Sequence, residues 1–281
     1  MKILLTGASG QLGKVVSSVF GRKHDVVGLT HADLDVVSLP DVDTIFRMIK
    51  PDWVVHAAAY TDVDGAERDK ETAMHVNGLG TRNVADVADH VGAKVFYFST
   101  DYVFPGNSDT PYREDAVPQP VNHYGLTKLQ GEQWVQSICS RYLIVRTSWL
   151  FGEGQSNFVH KISEQARNVG RVYVVEDQRG SPTYMCDLAE MSLKLIEHDS
   201  VGLYHVTNSG TATWFDLARE VVSLLEIDCQ VQPIASENAG RSAMRPSYSV
   251  LDNHLLQLEQ FPEMRSWEEA LKSFLRQLNV G

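Results

Sequence analysis

Residues 1–20 read MKILLTGASGQLGKVVSSVF, and this stretch decides the fold. Residues 2–6 form an apolar run with the length of a buried strand. Residues 14–20 carry apolar side chains at helical spacing. A glycine-rich turn with the spacing G-x-x-G-x-x-G joins the two segments. The stretch therefore predicts a strand, a tight turn and a helix in direct succession.

Each glycine of the turn has its own expected role. Gly7 allows the tight turn, Gly10 lets the backbone approach a pyrophosphate, and Gly13 lets the helix and strand pack closely. The helix start also offers unpaired N–H groups and a positive partial charge to a phosphate. A turn with the same glycines and no ligand is the alternative. The position of this turn, directly between strand and helix, favours a dinucleotide-binding site.

Composition excludes several classes of protein. The chain has 281 residues, 43% of them hydrophobic and 22% charged, which is typical of a globular protein with one large domain or two unequal ones. The net charge of −11 argues against binding to nucleic acid, and an anionic substrate would need a locally basic pocket. Cys139, Cys186 and Cys229 are scattered and predict neither disulfides nor a zinc site. No stretch predicts a signal peptide or a membrane span, so we expect a cytoplasmic protein.

Strands and helices alternate through the first half of the chain. The predicted strands are residues 2–6, 25–29, 54–56, 94–98 and 143–146, and the predicted helices between them are residues 14–20, 38–50, 71–91 and 122–138. This alternation predicts βαβ units in an α/β protein with a Rossmann-like, doubly wound parallel sheet. Ligands bind beyond the carboxyl ends of such strands, so the candidate site residues should meet at one edge of the sheet.

The character of the sequence changes at about residue 150. The second half predicts helices at residues 156–169, 184–198, 214–225 and 266–278, strands at 172–175 and 203–206, and loops at 209–213 and 237–249. We expect residues 1–150 to form an NAD(P)-binding Rossmann domain. Residues 151–281 should form most of a smaller α/β substrate-binding lobe, with some segments returning to the sheet.

Two strand ends bear on the choice of cofactor. Thr30 follows the second strand, where an NAD-specific site would place an Asp or Glu on the adenosine ribose. The absent acid leaves room for a 2′-phosphate, yet no arginine stands beside Thr30 to bind one. After the third strand come Ala57, Ala58, Ala59 and Tyr60, small residues that would let a flat cofactor lie close. A tightly packed corner explains these alanines equally well when they are considered alone.

Tyr124 and Lys128 form the strongest catalytic candidate. Their spacing of four places both side chains on one face of a helix. A neighbouring ammonium lowers the pKa of a tyrosine and makes it a usable proton donor or acceptor. Such pairs also occur by chance. Thr100, at the end of the fourth strand, and the glycine turn make chance a poor explanation.

These motifs resemble the extended short-chain dehydrogenase/reductase family. Within that family, the chain resembles the dTDP-4-dehydrorhamnose reductases over essentially its whole length. Three further segments carry this resemblance. The segments are residues 99–104 (STDYVF), 146–149 (RTSW) and 178–183 (QRGSPT). The resemblance implies NADPH- or NADH-dependent reduction of the C4 keto group of dTDP-4-dehydro-L-rhamnose, a step in nucleotide-sugar biosynthesis for surface polysaccharide.

The resemblance also implies a role for particular residues. The expected catalytic residues are Tyr124, Lys128 and Thr100. The expected cofactor-binding residues are Gly7, Gly10, Gln11, Leu12, Gly13, Thr30, Asp35, Val36, Ala58, Ala59, Tyr60, Tyr124 and Lys128. The expected substrate-binding residues are Thr100, Asp101 and Trp149. Apart from the resemblance, Arg179, Arg241 and Arg245 lie in predicted loops, and their guanidinium groups match the geometry of a sugar-nucleotide pyrophosphate; Arg179 and Arg245 are the expected substrate contacts among them. A solvated surface arginine is at least as good an interpretation of any single one.

Other activities of this fold are alternatives. A sugar-nucleotide epimerase or dehydratase would keep NAD bound, but the dehydratases resemble one another in a Thr-Asp-Glu segment where this chain has Tyr102 after Asp101. A non-catalytic NADP-binding regulatory subunit, like that of methionine adenosyltransferase, is the other alternative. Some family members bind Mg²⁺ at a dimer interface through a glutamate. Val15 stands in its place, so we expect no metal, while a homodimer remains compatible with the sequence.

Overall fold

Six parallel strands form the central sheet of the computed structural model, which describes residues 1–154 and 157–278. The elements of the first half are β1 (Lys2–Thr6), α1 (Gln11–Phe20), β2 (Asp25–Leu29), α2 (Leu39–Ile49), β3 (Trp53–His56), α3 (Val63–Arg68), α4 (Lys70–Met74), α5 (Thr81–His90), β4 (Lys94–Thr100), α6 (His123–Ile138) and β5 (Tyr142–Thr147). The elements of the second half are β6 (Leu150–Phe151), α7 (Phe158–Val169), β7 (Arg171–Val175), β8 (Arg179–Gly180), β9 (Thr183–Tyr184), α8 (Met185–Glu197), β10 (Gly202–His205), β11 (Ala212–Thr213), α9 (Trp214–Leu224), β12 (Gln230–Ile234), α10 (His254–Leu258) and α11 (Trp267–Leu278).

The order of the strands places the site. The sheet runs β10-β5-β4-β3-β1-β2, and every pairing in it is parallel. The chain passes from β1 to β2 on one side and then crosses to β3 on the other. The carboxyl ends of β1 and β3 therefore flank the point at which the winding reverses, where open α/β sheets bind their ligands.

Helices cover both faces of the sheet, which confirms the predicted doubly wound fold. One face packs on α1 and α8 through a core that includes Val16, Phe20 and Leu188. The other packs on α2, α5 and α6 through a core that includes Phe46 and Val84. Long apolar runs in the strands follow from this arrangement, since a strand covered on both faces exposes neither side to water.

Segments of the second half take part in both layers. Strand β10 pairs with β5 at the edge of the central sheet, and α8 packs on α1. Helices α7, α9 and α11 form a separate apolar core with the parallel pair β7–β12, centred on Phe151, Tyr184 and Phe274. The short pairs β6–β9 and β8–β11 lie beside this core and in the approach to the site.

Several element boundaries differ from the sequence prediction. The helix predicted over residues 71–91 is interrupted by a π-helical turn, His75–Gly80, between α4 and α5. The loop predicted at residues 209–213 ends in strand β11. The helix predicted from Ser156 begins at Phe158 within the described residues, and Ser156 itself lies outside them. Within the described ranges, no helix is long and apolar enough to cross a membrane.

Candidate active site

The glycine turn can be built only with glycine at two of its positions. Gly7 has a φ of +71°, and a Cβ there would lie 2.6 Å from the backbone nitrogen of Ala58. A Cβ on Gly13 would lie 2.1 Å from the carbonyl oxygen of Gly7. Gly10 forms the N-cap of α1, and no side chain caps the first turn of that helix. The helix therefore begins at the carboxyl edge of the sheet with no capping side chain.

A cavity of about 440 Å³ opens beyond this turn, and we call it the glycine-turn cavity. Its walls come from the glycine turn after β1, from the ends of β3, β4 and β5, from one face of α6 and from parts of the second half of the chain. The residues that line it include Gly10, Gln11, Leu12, Gly13, Ala57, Ala59, Tyr124, Lys128 and Thr147. The hydroxyl of Thr147 is buried and has no hydrogen-bond partner among the described residues. The wall thus combines small residues with one unpaired polar group.

A second cavity, of about 250 Å³, adjoins the first, and we call it the tryptophan cavity. Its lining includes Val63, Thr100, Asp101, Tyr102, Trp149 and Trp214. Residues that line both cavities are Thr61, Ser99, Tyr124, Thr147 and Leu150. The two cavities therefore meet at the catalytic tyrosine candidate.

Helix α6 carries the Tyr–Lys pair into this junction. Asn122 caps the helix, since its side-chain oxygen accepts the N–H of Gly125 at 2.8 Å. Lys128 is 4% exposed, and its Nζ lies 4.1 Å from the centroid of the Tyr97 ring. Burial lowers the pKa of Lys128 to about 7, although the carboxylate of Glu132 opposes this shift. The ammonium is thus held close to its titration point near neutral pH.

One electrostatic prediction was wrong. We expected Lys128 to lower the pKa of Tyr124. Instead, burial and then the carboxylate of Asp101 hold the pKa of Tyr124 above its usual range, and the hydrogen bond with Thr100 opposes them. The tyrosine therefore keeps its proton at neutral pH, the form required of a proton donor.

Thr100 and Asp101 lie together at the end of β4. The Thr100 hydroxyl is 3.0 Å from one carboxylate oxygen of Asp101, and the hydroxyl of Ser249 donates to the other at 2.5 Å. Asp101 is only 2% exposed. Burial raises its pKa to about 7, against the opposing hydrogen bonds from Ser249 and Thr100.

Trp149 is both a cavity wall and a packing residue. Its ring stacks on Trp214 with centroids 3.6 Å apart and an interplanar angle of 5°. A Cβ on Gly180 would lie 2.4 Å from the Trp149 ring, so only glycine fits there. The backbone of Trp149 has a φ of 48°, a conformation costly for a bulky residue. Trp149 follows β5, as predicted, and lines the same cavity as Thr100.

The end of β2 carries an acid that the sequence argument did not place there. The carboxylate of Asp33 accepts the backbone N–H of Thr30 at 2.9 Å and its hydroxyl at 2.7 Å. The prediction that no acid lies at this strand end was thus wrong, because the chain turns back after Thr30 and brings Asp33 beside it. Asp35 is exposed and accepts the N–H of Val37, while Val36 is buried against Gly80.

The structure places Arg241 and Arg245 near each other and near Tyr102, and places Arg179 outside both cavities. Arg245 forms an ion pair with Asp64 at 2.8 Å, and Asp64 also accepts the N–H groups of Ser242 and Ala243. Arg179 is exposed on β8 and lines neither cavity. Arg241 has no ion-pair partner among residues 1–154 and 157–278, and burial and then Arg245 lower its pKa.

Residues missed by the sequence argument hold the junction in place. The buried pair Glu132–Arg146 is bidentate, with N···O distances of 2.8 and 2.6 Å, and Ser99 donates to the same carboxylate at 2.5 Å. Asn77, on the π-helical turn, bonds the backbone of Tyr60 at 2.8 and 3.0 Å and Thr127 at 2.9 Å. The four-residue spacing of Lys128 and Glu132 was visible in the sequence, but the partners of Asn77 were not.

The parallel sheet, the glycine turn and the Tyr-x-x-x-Lys pair at its carboxyl edge define the extended short-chain dehydrogenase/reductase class. Within that class, the family model described as RmlD substrate binding domain matches residues 1–280. The chain therefore belongs to this family, that of the dTDP-4-dehydrorhamnose reductases, and the predicted resemblance is confirmed.

Individual relatives support the assignment. The chain is 40% identical to the dTDP-4-dehydrorhamnose reductase of Streptomyces griseus, over 95% of this chain and 91% of that protein. It is 38% identical to the dTDP-4-keto-6-deoxy-D-glucose reductase of Streptomyces niveus, over 99% and 97%. The crystal structure of dTDP-4-dehydrorhamnose reductase from Bacillus anthracis in complex with NADP is similar, with a TM-score of 0.96 and 40% identity over 98% of this chain and 99% of that one.

Proposed function

We propose that this protein reduces the C4 keto group of dTDP-4-dehydro-L-rhamnose to give dTDP-L-rhamnose, with NADPH or NADH as the reductant. The observation that carries the proposal is the meeting of two cavities at Tyr124. One is walled by a glycine turn suited to a dinucleotide, and the other by two tryptophans suited to a sugar. Proton donation at that junction is what a ketone reductase requires.

The glycine-turn cavity fits a dinucleotide. A Cβ on Gly7 or Gly13 would clash with backbone atoms, no side chain caps the start of α1, and the Thr147 hydroxyl lacks a partner among the described residues. The residues proposed to hold the cofactor are Gly7, Gly10, Gln11, Leu12, Gly13, Thr30, Asp35, Val36, Ala58, Ala59, Tyr60, Tyr124 and Lys128. A bound NADPH or NADH supplies the hydride for the reduction.

Tyr124 supplies the proton. It is neutral at the pH of the cell, and its hydroxyl lies in the wall shared by the two cavities. Thr100 hydrogen bonds the carbonyl oxygen and stabilises the negative charge that develops there. The Lys128 ammonium stabilises the phenolate left after proton transfer, and it also binds the nicotinamide ribose. Strand β4 positions Thr100 for its role, and helix α6 positions Tyr124 and Lys128 for theirs.

The tryptophan cavity selects the sugar. A 6-deoxy sugar presents a methyl group and ring C–H bonds, which pack well on an indole face such as that of Trp149. The substrate diphosphate is anionic, and Arg179 and Arg245 are its proposed contacts. Because Asp64 already neutralises Arg245, Arg241, which has no ion-pair partner among the described residues, is a third candidate. We propose that residues 151–281 supply most of this substrate lobe.

An absorbance assay tests the proposal. NADPH oxidation is followed with freshly generated dTDP-4-dehydro-L-rhamnose, then with the same keto sugar on UDP and GDP. We expect rapid oxidation with the dTDP sugar and at least about tenfold lower kcat/KM with the other nucleotides, equivalent to about 1.4 kcal/mol of lost contact. Absence of NADPH and NADH oxidation with every keto sugar, in a folded protein that binds NADPH, would overturn it in favour of a regulatory subunit.

A second candidate substrate follows from one comparison. The Streptomyces niveus relative is named for the reduction of dTDP-4-keto-6-deoxy-D-glucose, a sugar that differs in ring stereochemistry. The same catalytic residues would serve it, and only the walls of the tryptophan cavity would discriminate. The assay therefore includes both keto sugars, and the ratio of their kcat/KM values decides between them.

A further inference from the structure

We propose that Asp101 is a positioning residue that acts in its protonated form and turns the Thr100 hydroxyl toward the reacting carbonyl. The inference rests on the proposed reductase function. It assigns to Asp101 a role different from the substrate contact that the sequence resemblance implied.

The carboxyl group of Asp101 is engaged inside the protein. Its Oδ2 accepts the Ser249 hydroxyl at 2.5 Å, and its Oδ1 lies 3.0 Å from the Thr100 hydroxyl. Ser249 is 1% exposed and lies in the second half of the chain, 148 residues after Asp101. Both oxygens are thus occupied by protein hydroxyls, and the carboxyl reaches the substrate through Thr100.

The Thr100 hydroxyl has one proton and two acceptor positions. The backbone N–H of Tyr102 donates to its oxygen at 3.2 Å and fills one acceptor position. When Asp101 is ionised, Thr100 must donate its single proton to the carboxylate, and nothing is left for the substrate. When Asp101 is protonated, it donates to Thr100 and fills the second acceptor position. The threonine proton is then directed away from Asp101, toward the hydroxyl of Tyr124, with which Thr100 is hydrogen bonded, or toward a carbonyl oxygen bound between the two hydroxyls.

The surroundings of Asp101 allow both forms near neutral pH. The titratable groups that face it are Tyr102, from the turn after β4, and Tyr124, from α6. Arg245, the cation nearest to Tyr102, is neutralised by Asp64. Burial raises the pKa of Asp101 to about 7, with Ser249 and Thr100 opposing. The carboxyl is neutral below this pKa and charged above it, so the rate should fall as the pH rises through that value.

Three variants and one spectrum test the proposal. Asp101→Asn keeps a donor toward Thr100 through its amide nitrogen and cannot ionise, so its pH–rate profile should lose the alkaline fall that belongs to Asp101. Ser249→Ala removes a bond to the charged form, which raises the pKa of Asp101 and moves the alkaline fall up by about one pH unit. Lys128 also titrates near pH 7, but neither substitution touches it, so it serves as the internal reference. In a Thr100→Val background, Asp101→Asn should change nothing.

The spectrum reports on the carboxyl without any reaction. An infrared difference between wild type and Asp101→Asn should show a carboxylic acid carbonyl band at pH 6 that disappears by about pH 8, as a group with a pKa near 7 requires. This band is measured without any substrate, so it is expected even if the keto sugar is the wrong substrate. Failure of the proposed function can therefore be distinguished from failure of this inference. A carboxylate band alone at pH 6 would overturn the inference. So would an alkaline fall identical in wild type, Asp101→Asn and Ser249→Ala, or an equal loss of rate in Asp101→Asn at every pH.

Discussion

The two cavities that meet at Tyr124 are built in opposite ways. One wall of the glycine-turn cavity is made of backbone and small residues from two short stretches, residues 10–13 and 57–61, and Gly7 and Gly13 of the turn admit no Cβ. The tryptophan cavity is walled by large or polar side chains from separate segments of the chain, between Thr61 and Trp214. A backbone wall fixes one shape for a common cofactor. A wall of side chains can be altered residue by residue, which suits it to selecting one sugar.

The strongest test of this contrast is Gly13→Ala. The added Cβ would lie 2.1 Å from the Gly7 carbonyl, and neither backbone can move without opening the turn. We expect NADPH binding weakened by more than about a hundredfold, because displacement of such a site by about 1 Å has effects of that size, together with a lower Tm. Gly10→Ala is the matched control, since its Cβ lies 3.3 Å from the same oxygen. It should fold normally and lose less affinity. NADPH fluorescence titration and thermal melts measure both, and wild-type affinity in Gly13→Ala would contradict the account.

Trp149→Ala tests the side-chain wall. We expect kcat/KM to fall by about ten- to a hundredfold, equivalent to roughly 1.4–2.8 kcal/mol of lost contact with the sugar, while NADPH affinity stays unchanged. The ring is only partly buried, so the loss of stability should be below the ~3–5 kcal/mol of a core tryptophan. Trp214→Ala removes the stacking partner and should give a smaller loss. Steady-state kinetics beside a melt separate the effects, and a large drop in Tm with weakened NADPH binding would show that Trp149 is a packing residue.

The smallest expected effect lies at the edge of the cofactor site. Asp33→Asn keeps an acceptor for Thr30 and removes a negative charge that would repel a 2′-phosphate. We expect NADPH affinity to rise by about three- to tenfold, with the gain shrinking at high salt because the group is exposed, and NADH affinity to stay constant. Asp25→Asn, at the opposite end of the same strand, is the control. Equal changes for both cofactors would show that Asp33 does not face the ribose.

The same contrast explains what could be predicted from the sequence. Strand β1, the glycine turn and the Tyr124–Lys128 pair depend on neighbours within a few residues, so periodicity and spacing place them. The Ser249–Asp101 bond and the stacking of Trp149 on Trp214 join distant segments, which no local pattern indicates. The raised pKa of Tyr124 also escaped prediction, because it comes from burial and from the carboxylate of Asp101, and burial depends on segments distant in sequence. The π-helical turn that carries Asn77 was hidden inside a regular helical pattern.

One comparison tests the central claim, that Tyr124 donates the proton where the two cavities meet. The measurement is kcat for dTDP-4-dehydro-L-rhamnose reduction by wild type and by Tyr124→Phe, with NADPH affinity determined for both. The account predicts a loss of about 10²–10⁴-fold in kcat, the usual effect of removing a general acid, with NADPH affinity unchanged. A variant that turns over within about threefold of wild type, far below the usual effect of losing a general acid, would show that the proton comes from another group.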